Sequence, residues 1–148
     1  MNNKHSERCG IIFLLCFLIS CTSTMAQAQD NLRSQVLETL EKSTAYMESL
    51  ATEGGYLWRY STDLKTVTGE RIATPTQVWV QDGTPKMGMA FLRLYEVTKN
   101  KRYLDNARGV AMALVNGQLE SGGWDYLIEF DPEKRKKYRY RVDKNSSP

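Results

Sequence analysis

The fold is decided by residues 84–118, which read TPKMGMAFLRLYEVTKNKRYLDNARGVAMALVNGQ. Two apolar stripes of helical period run through this segment, one on each side of the polar pair Lys99-Asn100. The first stripe consists of Met87, Phe91 and Leu94, and the second consists of Tyr103, Leu104, Ala107, Ala111 and Leu114. Two helices joined by so short a connection must be antiparallel neighbours, so the segment predicts an αα-hairpin.

The boundaries of the helices are also marked in the sequence. Thr84-Pro85 is a capping residue followed by a first-turn proline, and the second helix of the hairpin is predicted from about residue 102 to 118. Upstream, Asp30 is predicted to cap a further amphipathic helix that Gly54-Gly55 ends. The apolar stripe of that helix consists of Leu32, Val36, Leu40, Met47 and Leu50.

Two short segments that follow helices resemble each other. Glu53-Gly54-Gly55-Tyr56-Leu57-Trp58 follows the upstream helix, and Ser121-Gly122-Gly123-Trp124-Asp125-Tyr126 follows the hairpin. Each has a glycine pair and then an aromatic cluster, and this recurrence beside helical hairpins favours stacked helix pairs. The predicted fold class is therefore all-α, with short β or loop segments between helices at 56–60 and 77–81.

The N-terminal residues have the pattern of an export signal. Lys4 and Arg8 precede the apolar run Ile11–Ile19, which is shorter than the roughly 20 residues of a membrane-spanning helix. Ala26-Gln27-Ala28 predicts a signal peptide of residues 1–28. Leu18-Ile19-Ser20-Cys21 instead resembles a lipobox, with a lipoprotein signal of residues 1–20 and a lipid on Cys21. Both alternatives predict export, to a secreted or periplasmic location or to a membrane tether through Cys21.

Cysteine and histidine are confined to this leader region, at Cys9, Cys16, Cys21 and His5. A mature chain from residue 29 then has no disulfide, no Cys/His zinc site and no serine–histidine or cysteine nucleophile. Its chemistry is limited to Asp, Glu, Arg, Lys and Tyr, which suits calcium, paired carboxylates or recognition of anions. Removing the leader takes away two basic residues and one acidic residue, so the net charge falls from +3 to +2. That balance does not indicate a nucleic-acid partner.

Four blocks of the chain, in this order, resemble the N-terminal part of the bacterial pectate lyases and pectic-acid-lyase-like proteins. The blocks are Glu53–Ser61, Val78–Gln81 with Gly83–Pro85, Arg102–Arg108 and Gln118–Tyr126. The resemblance implies an α/α-toroid of stacked helical hairpins, of which residues 29–148 would be an incomplete, N-terminal part. It also implies calcium-assisted β-elimination in an acidic polysaccharide such as polygalacturonate. The family's catalytic residues lie beyond the part that matches, so the resemblance assigns no catalytic residue here and predicts that this chain alone is inactive.

The candidate site residues lie beside glycine turns or in the basic run 134–141. Sugar rings have apolar C–H faces that stack on aromatic side chains, and arginine binds carboxylates. The predicted substrate-binding residues are Trp58, Trp79, Trp124, Tyr126, Arg139 and Arg141. Asp82 and Asp125 are the predicted calcium ligands. Packing of the aromatic residues, turn formation by the carboxylates and a solvated basic loop are the structural alternatives.

Three functions follow as hypotheses. The first is a pectate lyase-like protein that acts with calcium on an acidic polysaccharide. The second is a noncatalytic exported protein that binds glycans, and the third is a glycoside hydrolase that uses paired carboxylates on the same fold. Calcium dependence and an unsaturated, ultraviolet-absorbing product distinguish the lyase from the hydrolase. A binding protein would instead bind pectate saturably, without calcium dependence and without forming an unsaturated product.

Overall fold

The structure is a computed structural model that describes the backbone of residues 3–142 and the side chains of residue 25 and residues 27–142. The chain divides into two compact units, residues 1–46 and residues 47–148. The side chains of Cys21 and of the apolar core of the predicted leader are not described, so both modes of cleavage stay predictions. Within the part that is described, none of the helices combines the length and the apolar character needed to cross a membrane.

The first unit consists of most of helix α1, which spans Asn3–Ser49. Asp30 lies inside this helix, so the prediction that Asp30 caps its start is wrong. Alanine and glutamine, which fill positions 26–29, are good helix formers and do not interrupt a helix. Leu32 and Val36 of the predicted apolar stripe are 62% and 56% exposed. They line an open groove along α1.

The second unit contains the other helices and strands. In chain order they are β1 (Arg59–Tyr60), β2 (Val67–Thr68), β3 (Gln77–Trp79), α2 (Thr84–Thr98), α3 (Lys101–Asn116), β4 (Leu127–Glu129) and α4 (Pro132–Arg135). Strands β1 and β2 form one antiparallel pair, and β3 and β4 form another. In the second pair Val78 lies opposite Ile128, and Gln77 lies opposite Glu129.

The predicted fold class, an all-α and incomplete α/α-toroid, is wrong. Helices and two small antiparallel sheets occur together in the described residues, and they contain no ring of stacked hairpins. Helix α3 packs on the β3–β4 pair, where Ala113 joins Val78 and Ile128 in a buried cluster. Residues that the toroid would place in loops between helices thus form part of the core.

The predicted hairpin of α2 and α3 is confirmed, with a different contact at its start. The residue that caps α2 is Gly83, which has no side chain that could accept a hydrogen bond. The hydroxyl of Thr84 instead accepts a hydrogen bond from the backbone N–H of Tyr56 at 2.9 Å and donates one to the carbonyl of the same residue at 3.1 Å. Asn100 caps α3 through its side chain, which accepts a hydrogen bond from the N–H of Arg102 at 3.0 Å. Thr84 therefore attaches the start of α2 to the chain around Tyr56.

The last turn of α1, which belongs to the second unit, is bonded to α3 by polar side chains. Arg102 donates two hydrogen bonds to the carboxylate of Glu48, one of them from Nε at 2.8 Å, and Asn106 donates another at 2.6 Å. The hydrogen bonds from Arg102 hold the pKa of Glu48 below its ordinary value, although partial burial opposes them. Burial, followed by the charge of Glu48, raises the pKa of nearby Tyr56 to about 12.

Replacing Glu48 by glutamine is expected to lower the free energy of unfolding at pH 7 by about 2 kcal/mol, because a hydrogen-bonded carboxylate is lost. The folded pKa lies below the unfolded value, so this contribution is present above about pH 4.5 and disappears as the pH falls through the folded pKa. Urea unfolding at pH 7 and at pH 3 measures it. Glu70→Gln, at an exposed position, is the control and should change stability by less than about 0.5 kcal/mol. If wild type and Glu48→Gln differed in the free energy of unfolding as much at pH 3 as at pH 7, the stabilisation could not come from the ionised carboxylate of Glu48.

Arg135 organises the C-terminal part of the second unit. Its side chain is buried and donates hydrogen bonds to three backbone carbonyls, those of Glu129 at 2.8 Å, Val142 at 3.2 Å and Asn116. The guanidinium group lies 4.0 Å from the ring centroid of Tyr140. A single side chain thus joins the end of α3, the end of β4 and the last described residue.

Candidate functional site

Strand β3 presents successive residues to two different clusters. Val78 belongs to the buried cluster with Ala113 and Ile128, whereas Trp79 packs with Leu57 and Ala73. Side chains alternate between the two faces of a strand, so one face of β3 contributes to the core under α3 and the other carries Trp79. The second face leads to the predicted binding residues.

Trp79 is the middle ring of a stack of three aromatic side chains, which we call the aromatic ladder: Trp58, Trp79 and Tyr126. The ring centroids of Trp58 and Trp79 are 6.0 Å apart with an interplanar angle of 21°. Those of Trp79 and Tyr126 are 5.6 Å apart with an angle of 25°. Offset stacking at these distances is a favourable arrangement of aromatic rings. Three of the six predicted substrate-binding residues are therefore brought together.

Trp79 is the fixed centre of the aromatic ladder. Only 1% of its surface is exposed, and a side chain at Gly69 would overlap its ring, so the backbone of Gly69 lies directly against the indole. The indole N–H is buried and has no hydrogen-bond partner in the described part of the chain. Trp79 thus positions the two outer rings, of which Tyr126 is 43% exposed.

An arginine lies against each outer ring of the aromatic ladder. The guanidinium carbon of Arg59 is 4.7 Å from the ring centroid of Trp58, and that of Arg71 is 5.8 Å from the ring centroid of Tyr126. Both arginines are exposed, and no ion pair joins either of them to a carboxylate of the described residues. The ladder therefore has a positive charge at each end.

Trp124 lies in the turn that follows α3, two residues before Tyr126 of the aromatic ladder. Its indole N–H donates a hydrogen bond to the carbonyl of Leu114 at 2.7 Å, which fixes the ring although the residue is 44% exposed. The ring makes no stacking or cation contact with the described residues. Among the four aromatic residues predicted to bind substrate, Trp124 therefore offers the ring surface that is most accessible to a ligand.

Arg141 is attached to the same turn through Gln118. The side chain of Gln118 donates to the carbonyl of Gly122 at 2.8 Å, and its amide oxygen accepts a hydrogen bond from Arg141 at 3.2 Å. The backbone N–H of Arg141 also donates to the carbonyl of Gln118 at 2.7 Å. Arg139 reaches this turn through its backbone carbonyl, which accepts from the N–H of Glu120 at 2.9 Å, and its side chain is exposed. Both predicted arginines thus lie beside the turn that carries Trp124.

Each of the two predicted calcium ligands has a contact of its own. Asp82 pairs with Lys86 at 2.5 Å, and the side chain of Asp125 accepts a hydrogen bond from the N–H of Tyr126 at 2.7 Å. The described residues contain no group of three or more His, Cys, Asp or Glu side chains placed to hold a metal ion. Calcium takes six to eight oxygen ligands, and Asp82 and Asp125 are not part of a carboxylate cluster in the described residues that would supply several of them. Calcium dependence stays a prediction from the resemblance.

Comparison with protein-family models, with curated proteins and with solved structures finds no match to this chain. The resemblance to pectate lyases therefore stays a hypothesis that depends on the quoted blocks of sequence.

Three polar residues of this region were not among the predicted site residues. Arg59 directly follows Trp58, and that adjacency was the only signal in the sequence. Arg71 lies in a polar stretch without periodicity, and it reaches Tyr126 only because β2 and the following residues fold over Trp79. Gln118 ends a predicted helix, where an amide side chain has no distinctive pattern. The structure supplies these residues through contacts between distant segments of the chain.

Proposed function

We propose that this chain binds an acidic polysaccharide of the polygalacturonate type at the face formed by Trp124, Tyr126 and Arg141, with Arg139 beside it. The observation that carries the proposal is the exposed ring of Trp124, fixed by its hydrogen bond to Leu114 and uncovered by any described aromatic or cationic group. A fixed aromatic ring loses little conformational freedom when a sugar ring stacks on it.

Charge favours an acidic rather than a neutral glycan. Arg141 is held by the neutral side chain of Gln118, so its positive charge is not cancelled by that contact. A guanidinium group can bind a carboxylate through two parallel hydrogen bonds, which adds geometric selectivity to the charge attraction. An aromatic surface with two arginines beside it fits a polymer whose sugar rings carry carboxylates.

Replacing Trp124 by alanine is expected to weaken the binding of polygalacturonate by about tenfold or more, because the stacking surface is lost. Titration calorimetry with the full chain measures this change. Trp124→Phe keeps a ring but not the hydrogen bond to Leu114, and it should retain part of the affinity. A neutral galactan is the ligand control, and the wild-type protein should bind it much more weakly.

The contribution of charge is tested by Arg139→Gln combined with Arg141→Gln. This double variant should weaken binding and reduce its dependence on salt, since charge attraction is screened at high ionic strength. Arg93→Gln combined with Lys101→Gln removes the same charge from exposed positions on α2 and α3 and should bind like the wild type. Equal binding by wild type and Trp124→Ala would overturn the proposed site. Samples incubated with calcium can also be monitored for the ultraviolet-absorbing product of β-elimination.

A further inference from the structure

We infer that Gln118 is a specificity-determining residue of the proposed site, because it makes Arg141 rather than Arg139 the main partner of a ligand carboxylate. This inference rests on the proposed function and gives different roles to the two arginines of that site. Gln118 acts through Arg141, which it positions without cancelling the charge, and is therefore a positioning residue.

The side chain of Gln118 makes two contacts that require both a donor and an acceptor. Its amide nitrogen donates to the carbonyl of Gly122 at 2.8 Å, and its amide oxygen accepts a hydrogen bond from the guanidinium group of Arg141 at 3.2 Å. A carboxylate at this position could not donate to Gly122, and an ammonium group could not accept from Arg141. Gln118 thus joins Arg141 to the turn that leads to Trp124.

The backbone places one side chain of this turn opposite each arginine. An isolated antiparallel bridge joins the turn after α3 to the basic run 134–141. On one side of the bridge the N–H of Arg141 donates to the carbonyl of Gln118 at 2.7 Å. On the other side the N–H of Glu120 donates to the carbonyl of Arg139 at 2.9 Å. Gln118 is therefore the cross-strand neighbour of Arg141, and Glu120 is that of Arg139.

These two cross-strand pairs differ in charge. Arg141 lies opposite a neutral side chain, whereas Arg139 lies opposite a carboxylate. Both arginines and Glu120 are exposed, and no ion pair joins either arginine to a carboxylate of the described residues. The charge of Glu120 repels a ligand carboxylate that approaches Arg139, and Gln118 exerts no such repulsion beside Arg141. The difference favours Arg141 as the main carboxylate contact.

Arg141 also keeps most of its hydrogen-bond donors for a ligand. Its contact with Gln118 uses Nη1, and this is the only hydrogen bond that its side chain makes within the described part of the chain. The other N–H groups of a guanidinium can form two parallel hydrogen bonds with a carboxylate. Because Gln118 holds Arg141 before the ligand arrives, less side-chain freedom is lost on binding.

The first experiment compares single variants of the full chain by calorimetry with polygalacturonate. Arg141→Gln should weaken binding by about tenfold, and Arg139→Gln by about threefold or less. Glu120→Gln should strengthen binding by about twofold, because it removes the negative charge opposite Arg139. Equal losses in the two arginine variants would overturn the inference, while weaker binding by Trp124→Ala would still support the proposed function.

The second experiment exchanges the side chains that lie opposite the arginines. Gln118→Glu combined with Glu120→Gln keeps the net charge of the wild type and moves the carboxylate from Arg139 to Arg141. In this background the order should reverse, so that Arg139→Gln causes the larger loss of affinity and Arg141→Gln the smaller one. A purely structural role of Gln118 would not reverse the order. The same order as in the wild type would contradict the role of Gln118 in selecting Arg141.

Gln118→Met separates the effect of charge from that of the hydrogen bonds. It removes both contacts of the amide without adding a charge and should weaken binding by about threefold, whereas Gln118→Glu should weaken it by about tenfold. Equal losses in these two variants would show that the charge at position 118 has no effect and would overturn the inference. Denaturant unfolding establishes that each variant is folded before affinities are compared. Absence of polygalacturonate binding by the wild type would overturn both the proposed function and this inference.

Discussion

Replacing Arg135 by methionine is expected to lower the free energy of unfolding by about 3 kcal/mol or more. Methionine keeps most of the apolar volume, so the change mainly removes hydrogen bonds. The carbonyls of Asn116, Glu129 and Val142 would lose the guanidinium donor that they share. A buried acceptor left without a partner costs about 1–3 kcal/mol, and this applies in full to the carbonyl of Glu129, since the bonds to Asn116 and Val142 are only partly buried.

Denaturant unfolding followed by tryptophan fluorescence measures this loss. Arg139→Met is the matched control, because Arg139 lies in the same basic run but has an exposed side chain. It should change stability by less than about 0.5 kcal/mol. Equal losses in the two variants would contradict the role of Arg135. Arg135→Lys tests the geometry, since an ammonium group keeps the charge but cannot reproduce the planar fork of donors.

The same substitution connects stability to the candidate site. Arg135 packs against Tyr140, and Tyr140 forms an isolated bridge with Leu119 in the turn after α3. Its neighbour Arg141 reaches Gln118 in that turn. Loss of Arg135 should therefore loosen the placement of Arg141 and weaken binding of polygalacturonate, even where the variant is still folded.

Helix periodicity in the sequence predicted the α2–α3 hairpin, and Phe91, Tyr103 and Ala107 of the predicted stripes are buried. The buried face of α3 differs in part from its predicted stripe, since Ala111 is exposed and Val110 and Ala113 are buried. The strands were predictable only in part. Residues 77–81 have strand composition, but the partner of β3 is β4, about 50 residues further along the chain. Leu127–Glu129 is a run of three residues, too short to show an alternating pattern. Pairing between such distant segments is decided by tertiary packing, which is why the all-α prediction failed.

The same limit explains the mixed outcome for the candidate site. Trp124, which follows a glycine pair at the end of a helix, was predicted to bind substrate, and its 44% exposure is compatible with that role. Trp79 was expected to bind substrate directly, yet it is buried and supports the two outer rings of the ladder. The segment that contains Gly69 covers the face of β3 that carries Trp79. The residues next to Trp79 in the sequence give no sign of this contact.

The two glycine-containing segments that resemble each other in sequence share one backbone feature. Gly54 has a φ of +83° and Gly122 has a φ of +89°, both in the left-handed region that favours glycine. Their surroundings differ. The position of a Cβ atom at Gly54 overlaps the carbonyl oxygen of Gly109 in α3 and lies 2.6 Å from its carbonyl carbon, whereas a Cβ atom at Gly122 would meet nothing within 4 Å.

Gly54→Ala is accordingly expected to lower the free energy of unfolding by about 3 kcal/mol or more, and Gly122→Ala by about 1 kcal/mol. Both variants bear the cost of a positive φ, so the difference between them isolates the overlap with α3. That overlap involves backbone atoms, which cannot move aside as a flexible side chain can. Denaturant unfolding of the two variants under the same conditions measures the difference. Equal losses in the free energy of unfolding would show that only the left-handed conformation requires glycine at both positions. They would contradict the inference that close packing of residue 54 on α3 adds to the cost.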